Sequence, residues 1–235
     1  MRLKKITFPD TVTVIEENAF YSCFELSEVK LNEGLTTIGD YAFDDTYLQN
    51  LKIPSTVETI GITAFELHAD FGTIQLPENL KEMGYEAFAA ATIMGEFFLQ
   101  DTLRIPPSLN FESNMMEGVL VKQYEVDENN PYHTVIDGLL MSKDGKTLIA
   151  VPGQREGVLY VPDGVTVISY SGAFKDSRNL TDVYLPESVQ VIGDLGSEID
   201  YEPCPYKIHC YEGSDAQREL DKEGIPWVKI EADGK

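Results

Sequence analysis

The sequence predicts an α/β, β-rich fold: a right-handed solenoid of about eight coils with short helical turns, a β-hairpin insert and a C-terminal strand-helix-strand cap. Three observations support this prediction. An Ala-Phe pair recurs every 22 or 23 residues, a strand-like L-x-x-L-x-L pattern accompanies the pairs, and helix-capping signals lie near the C-terminus. Such periods are typical of solenoids, in which each repeat buries its apolar face only against its neighbours.

The strand of each repeat is predicted from alternating apolar residues, as in residues 26–31 (LSEVKL) and 180–185 (LTDVYL). Successive side chains of a strand point to opposite faces, so the apolar positions face a core and the others face out. A turn residue follows each strand, and it is usually proline, which ends a strand because it lacks an amide donor. These turn positions are Pro9, Asn32, Pro54, Pro77, Pro162 and Pro186.

The Ala-Phe pairs follow a second, shorter apolar alternation, and we expect each pair to lie on a single helical or 3₁₀ turn. The pairs are Ala19-Phe20, Ala42-Phe43, Ala64-Phe65, Ala87-Phe88 and, in a later copy, Ala173-Phe174. In stacked coils the first four phenylalanines would form a ladder in which each ring buries about 150–250 Å².

The repeat is nearly complete in residues 6–26 (ITFPDTVTVIEENAFYSCFEL), and it resembles the BspA-like leucine-rich repeats of bacterial surface proteins. The shared motif is L-x-x-[IV]-x-[IL]-P-x-x-[VL]-x-x-I-G-x-x-A-F-x-x-C-x-x-L, and the resemblance covers about two thirds of the chain. It implies a leucine-rich-repeat solenoid, a location at the cell surface or outside the cell, and binding to proteins of a host or a neighbouring cell.

Two further segments are similar to elements of that family. Residues 122–160 resemble its hairpin insert, with a turn at Asp144-Gly145. Residues 206–235 resemble its closing element, in which Ser214 and Gln217 form a capping box, Gly224 ends the helix and Pro226 prevents its continuation. The solenoid is therefore expected to span residues 1–205, with residues 89–121 as an irregular stretch that holds a degenerate repeat or a bulged loop.

Composition disfavours several classes of partner. The chain has 40 acidic and 18 basic residues, a formal charge of −22 that repels nucleic acid and anionic membrane surfaces. No apolar stretch approaches the roughly 20 residues of a membrane-spanning helix, so we expect no membrane insertion. The N-terminus shows no apolar core of an export signal, and a cell-surface or secreted location rests on the family resemblance alone.

The sequence contains no recognisable catalytic motif. None of His68, His133 and His209 lies in a metalloprotease helix or a nucleophile-elbow motif, so we expect neither an enzyme nor a cofactor. Cys204, His209 and Cys210 come nearest to a metal cluster, but a second ligand pair at zinc spacing is missing, and buried or edge cysteines are favoured.

Loop carboxylates provide a weaker indication of calcium. Asp127, Asn129, Asp137 and Asp144 offer hard oxygen ligands, but the twelve-residue loop spacing is absent, and turn chemistry explains them better. A carbohydrate-active enzyme is a remote alternative that would need a cleft with convergent carboxylates in residues 89–121.

The outward strand positions are the candidate binding residues. If the coils stack in register, Lys5, Lys30 and Lys52 lie close together and form a small basic stripe on an acidic protein. Solenoids commonly bind ligands on this face, but lysines also protect an exposed sheet against aggregation. The predicted sheet-face residues are Lys5, Lys30, Asn50, Lys52, Gln75, Asp182 and Tyr184.

The function predicted from these observations is a non-catalytic protein–protein or protein–glycan interaction or adhesion module. An acidic peptide or an anionic polysaccharide fits the basic stripe. The alternative is a structural spacer that presents another domain and has no ligand of its own. The sequence makes no prediction of oligomeric state.

Overall fold

The chain is a mostly β solenoid of about eight turns with an α-helix near its C-terminus, which confirms the predicted fold class. The computed structural model describes residues 3–67, 73–90, 98–116, 118–174, 176–193 and 205–231. The chain divides into two compact units: unit 1 holds residues 1–121 and 125–132, and unit 2 holds residues 122–124 and 133–235. The predicted right hand of the solenoid and the predicted division at residue 205 stay predictions.

Unit 1 contains the first nine strands and most of the tenth, and most of them are only two or three residues long. In chain order they are β1 (Lys5–Thr7), β2 (Val14–Ile15), β3 (Glu28–Lys30), β4 (Thr37–Ile38), β5 (Thr59–Ile60), β6 (Phe65–Leu67), β7 (Glu82–Met83), β8 (Phe88–Ala90), β9 (Phe98–Ile105) and β10 (Val119–Val126).

The strands of unit 1 pair between successive coils. β2, β4, β5 and β7 form one parallel sheet, while β1 with β3 and β6 with β8 form parallel pairs. β9 and β10 form a further two-stranded sheet. Because the paired strands come from successive coils, equivalent residues of neighbouring repeats lie side by side.

The pairs Ala19-Phe20 and Ala42-Phe43 lie on a single hydrogen-bonded turn that does not continue into a helix, whereas Phe65 and Phe88 of the next two pairs begin the strands β6 and β8. The N–H of Ala19 donates to the C=O of Glu16, three residues earlier, and Ala42 and Ala87 make the same bond in their coils. The residue before each alanine takes a left-handed φ of 45° to 58°, which interrupts a right-handed helix. The following amides bond to the next coil instead, as from Phe20 N–H to the C=O of Ala42 at 2.9 Å.

The predicted phenylalanine ladder is present. Phe20, Phe43, Phe65 and Phe88 stack in order, with centroid distances of 5.2, 5.5 and 5.1 Å and interplanar angles of 16° or less. The last three side chains are fully buried. Phe8 packs its edge against Phe20 at 5.6 Å, so a perpendicular ring closes one end of the ladder.

The glycine of the repeat lies where one coil approaches the next most closely. A Cβ atom on Gly39 would lie 2.6 Å from the backbone nitrogen of Glu17, and one on Gly84 would lie 2.5 Å from that of Ile62. Real Cβ contacts are almost never this short. The motif therefore requires glycine for close packing of the backbone.

Part of the irregular stretch is a degenerate repeat, one of the two predicted possibilities. The N–H of Leu109 donates to the C=O of Pro106, as the N–H of Val12 does to that of Pro9. One coil later, the buried Asn130 amide donates to the carbonyls of Pro106 and Leu109 at 2.8 and 2.9 Å. Asn32 makes the same pair of bonds to Pro9 and Val12. Both turns are therefore held by an asparagine of the following coil.

Unit 2 holds the remaining strands and the helix. They are β11 (His133–Ile136), β12 (Leu139–Ser142), β13 (Thr147–Ala150), β14 (Gly157–Tyr160), β15 (Val167–Ile168), β16 (Leu180–Tyr184), β17 (Val191–Ile192), β18 (Lys207–Cys210), α1 (Asp215–Glu223) and β19 (Trp227–Lys229).

The hairpin predicted at Asp144-Gly145 lies in one of the two sheets of unit 2. β12 pairs antiparallel with β11 on one side and with β13 on the other. β13 then pairs parallel with β15, and β15 pairs parallel with β17. The second sheet is the parallel series β14-β16-β18-β19. A single apolar core lies under both sheets and includes Leu148, Ile168, Val183 and Ile208.

The C-terminal helix follows the predicted capping signals. The Ser214 hydroxyl accepts a hydrogen bond from the N–H of Gln217 at 3.1 Å, and the Gln217 side chain accepts one from the N–H of Gly213 at 2.7 Å. Gly224 ends the helix at a φ of 69°. Leu220 and Ala216 are buried in the core of unit 2, so the helix covers one end of that core.

Candidate ligand-binding groove

The sheet face of unit 1 does not hold the three predicted lysines in one row. Lys5 lies opposite Glu28 and forms an ion pair with it, while Thr7 lies opposite Lys30. Side chains of equal register are neighbours across a parallel pair, so Lys5 is two residues out of line with Lys30. Lys5 is therefore offset from Lys30 along the strands and has its own carboxylate partner, Glu28.

The third coil leaves the sheet where the sequence pattern predicts a continuing strand. The N–H of Tyr47 donates to the C=O of Leu26 at 3.0 Å, and the N–H of Gln49 donates to that of Ser27 at 3.1 Å. Asn50 then takes a left-handed φ of 49°, and residues 51–54 form no strand. Asparagine tolerates this conformation better than most residues, since its short polar side chain bonds locally.

An open groove of about 740 Å³ lies at this break. Val29 and Leu31 of the second coil and Leu51 and Ile53 of the third provide its apolar lining. Leu31 and Leu51 are almost completely buried, and Val29 and Ile53 are partly exposed. The volume lies within the range typical of ligand sites.

Four of the predicted sheet-face residues line the same groove: Lys30, Asn50, Lys52 and Gln75. All four side chains are exposed. Glu33 is an acidic residue of the lining, and Thr73 and Ser55 add hydroxyl groups. The groove therefore combines an apolar lining with two ammonium groups and several hydrogen-bonding groups.

The two lysines of the groove differ from three other basic residues of unit 1, Lys5, Lys81 and Arg104, which form ion pairs. Lys81 pairs with Glu58 at 2.7 Å, and Arg104 pairs with both Glu78 and Asp127. Within the described part of the chain, Lys30 and Lys52 form no ion pair. On a protein with a formal charge of −22, two cations that have no ion-pair partner among the described residues are available to an anionic ligand.

The other two predicted residues, Asp182 and Tyr184, lie in unit 2. Tyr184 stacks between Tyr160 and His209, at centroid distances of 4.7 and 4.1 Å. The His209 Nε2 atom lies 2.8 Å from the Asp182 carboxylate, and this hydrogen bond holds the pKa of Asp182 below its usual value. Most of the Tyr160 side chain is exposed, so unit 2 presents a short aromatic row on its own sheet face.

The residues considered for zinc have other surroundings. His209 contacts Asp182 and Tyr184, and Cys210 is a buried free thiol whose pKa is raised to about 11, chiefly by desolvation. Cys204 and His68 lie outside the described residues. Among the described residues, no group of three potential metal ligands converges.

The loop carboxylates considered for calcium engage in turn chemistry. The Asp144 carboxylate accepts bonds from the Ser142 hydroxyl at 2.7 Å and the Lys146 N–H at 3.1 Å. Asp137 and Gly138 both take positive φ in the tight turn between β11 and β12. Asp127 binds the Asn129 N–H and Arg104, and these contacts lower the pKa of its carboxyl.

The model of the BspA type leucine rich repeat region matches the chain in six copies, over residues 1–116 and 158–195. Together these ranges exceed half of the chain. The match includes the stretch after residue 89, where the structure has the degenerate repeat. No curated protein matches the chain significantly.

Several solved bacterial structures are similar to this chain. The pneumococcal vaccine antigen PcpA is 23% identical, with a TM-score of 0.60 over 87% of this chain and 50% of that one. A leucine-rich repeat protein from Eubacterium ventriosum is 20% identical, with a TM-score of 0.51 over 89% and 48%. A leucine rich cell surface protein from Faecalibacterium prausnitzii is 23% identical, with a TM-score of 0.50 over 81% and 57%. At these identities the similarity concerns the fold, and this chain spans about half the length of those proteins.

Proposed function

We propose, because this chain belongs to the BspA-type leucine-rich repeat family, that it is a non-catalytic interaction module whose groove at Lys30 and Lys52 binds an anionic partner at or outside the bacterial surface. The observation that carries the proposal is the pair of exposed lysines without an ion-pair partner among the described residues. They flank apolar side chains in a single open groove.

Three features support binding rather than a purely structural role. The groove offers an apolar lining for contact area, ammonium groups for charge and amide groups for orientation, which is the usual composition of a recognition site. The formal charge of −22 disfavours anionic ligands over most of the protein, so a groove with two ammonium groups is a favoured position for an anionic partner. The ladder and the coil-to-coil hydrogen bonds hold the flanking repeats, and a rigid site loses less entropy on binding.

The location proposed for the module rests on the family and on one protein of similar fold. The Faecalibacterium prausnitzii protein is described as a cell surface protein. Among the described residues no helix is both long and apolar enough to cross a membrane. We place the module at the cell surface or in the secreted fraction, with a protein or glycan of a host or neighbouring cell as its partner.

The test is an array of immobilised proteins and glycans probed with the purified chain at low and high salt. Binding that weakens with salt and is lost in a Lys30→Glu/Lys52→Glu variant supports the groove as the binding site. A Lys143→Glu/Lys146→Glu variant changes charge equally on exposed residues of unit 2 and should bind as the wild type does. Lys5 is left unchanged because its partner Glu28 would be disturbed.

The competing proposal is a structural spacer that presents another domain. It predicts that neither the wild type nor the variants bind anything on the array. An enzymatic function is the remote alternative, and it would require turnover of a glycan on the array rather than retention of it.

A further inference from the structure

We propose that the groove takes up an extended acidic peptide segment of a partner protein, which adds as a strand to the open edge of β3 and places its carboxylates beside Lys30 and Lys52. This inference rests on the proposed function and specifies the class of ligand. It is carried by the hydrogen bonds of β3, which are complete on one side only.

On its first side, β3 is fully engaged with β1. The N–H of Glu28 donates to the C=O of Lys4 at 3.2 Å, and the C=O of Lys30 accepts from the N–H of Phe8 at 3.0 Å. Successive residues of a strand direct their backbone groups to opposite edges. The N–H and C=O of Val29 therefore point away from β1, toward the third coil.

On the other side of β3, the backbone hydrogen bonds to the third coil stop. The last of these bonds runs from the N–H of Gln49 to the C=O of Ser27, and Asn50 then turns the chain away. In the described part of the chain, the backbone groups of Val29 and Leu31 form no hydrogen bond to the third coil. An unpaired strand edge is a template for an added strand.

The groove at this edge suits an extended peptide in which acidic and apolar residues alternate. Side chains of an added strand alternate between the two faces of the sheet. One set would contact Val29, Leu31 and Leu51, while the other would lie on the exposed face with Lys30 and Lys52. Backbone bonds supply affinity and the two ammonium groups supply charge selection, which together favour an acidic peptide over a polysaccharide with no amide ladder to offer.

The experiment measures binding of a blocked octapeptide, acetyl-(Asp-Val)₄-amide, to the full chain by calorimetry. Two further peptides carry N-methyl groups, one on every valine amide and the other on every aspartate amide. A strand added to a single edge donates from alternate residues only, so one methylated peptide should bind at least tenfold more weakly than the other. Polygalacturonate, a polyanion without backbone amides, is the carbohydrate probe.

The Lys30→Gln/Lys52→Gln variant should bind the unmodified peptide at least tenfold more weakly than the wild type, and Lys143→Gln/Lys146→Gln should bind it unchanged. Amide hydrogen exchange at Val29 and Leu31 should slow when the peptide is present. Equal binding of both methylated peptides would overturn strand addition, as would no binding of the octapeptide. Binding of polygalacturonate alone would overturn this inference and leave the proposed function standing, whereas an array without any ligand would remove both.

Discussion

The ring of Phe43 stacks on the ring of Phe65 at a centroid distance of 5.5 Å and an interplanar angle of 5°, and both side chains are fully buried. These residues come from neighbouring coils, so the contact belongs to an interface between repeats and not to either repeat. The stability of unit 1 is therefore distributed over such interfaces, as expected for a solenoid.

Replacing Phe43 by alanine should lower the free energy of unfolding by about 3–5 kcal/mol, because it leaves a cavity between two stacked rings. Chemical denaturation followed by circular dichroism measures this loss. Phe24→Ala is the matched control, since that side chain is 66% exposed and its truncation should cost little. Equal losses in the two variants would contradict the ladder as a source of stability.

Gly39→Ala should destabilise unit 1 by about 1–3 kcal/mol, the usual cost of forcing extra volume into a packed site. Its Cβ would lie 2.6 Å from the backbone nitrogen of Glu17, and a backbone atom cannot move aside as the end of a flexible side chain can. Thermal unfolding gives the comparison with Glu16→Ala, an exposed control at the equivalent position of the preceding coil. If the Gly39→Ala protein unfolded at the same temperature as the wild type, the coils would have room to accommodate the extra methyl group.

The contact between Asp182 and His209 predicts a dependence of stability on pH. The hydrogen bond from His209 lowers the pKa of Asp182 in the folded state, so its stabilising effect is complete above the unfolded pKa of about 3.9. The effect disappears as pH falls through the lower folded value. The difference in unfolding free energy between wild type and Asp182→Asn should therefore shrink from about pH 5 down to pH 2.

Unfolding in urea at several pH values in that range provides this difference. Asp163→Asn is the control, because it replaces an exposed loop carboxylate and should leave the free energy of unfolding unchanged. A wild-type advantage over Asp182→Asn that stays constant down to pH 2 would contradict the contact.

The two described cysteines should differ in reactivity. Burial raises the pKa of Cys210 to about 11, whereas Cys23 is partly exposed. Only the thiolate reacts rapidly with iodoacetamide, so at pH 8 Cys23 should be alkylated much faster than Cys210. Peptide mapping by mass spectrometry follows each site separately. In denaturant the two rates should converge, and a fast reaction of Cys210 in the folded chain would refute its burial.

The regular part of the fold could be predicted from the sequence because residues that lie one repeat period apart pack against each other. The repeat places Phe20, Phe43 and Phe65 at one position of successive coils, and the structure stacks them there. The capping signals at Ser214 and Gly224 were equally local and equally reliable. The degenerate repeat was missed as a definite element, although its Ile105-Pro106-x-x-Leu109 segment keeps the proline turn of the motif.

The groove could be predicted only in part, since it depends on a departure from the repeat. Alternation predicted Lys30, Lys52 and Gln75 on one face, and all three line the groove, but the cross-strand register that pairs Lys5 with Glu28 involves two separate repeats. The positive φ of Asn50 is one of several conformations that asparagine accepts, so the residue type indicates a break without requiring it.

The hydrogen bonds that run from one coil to the next in unit 1 also determine how it would respond to mechanical load. A pulling force along the stacking direction acts on every coil interface in series, because each interface alone connects the coils on its two sides. The weakest interface yields first and releases one coil of 22 or 23 residues, which is about 80 Å of extended chain. Under tension unit 1 would therefore lengthen in discrete steps, absorbing work at each one while the remaining coils stay folded.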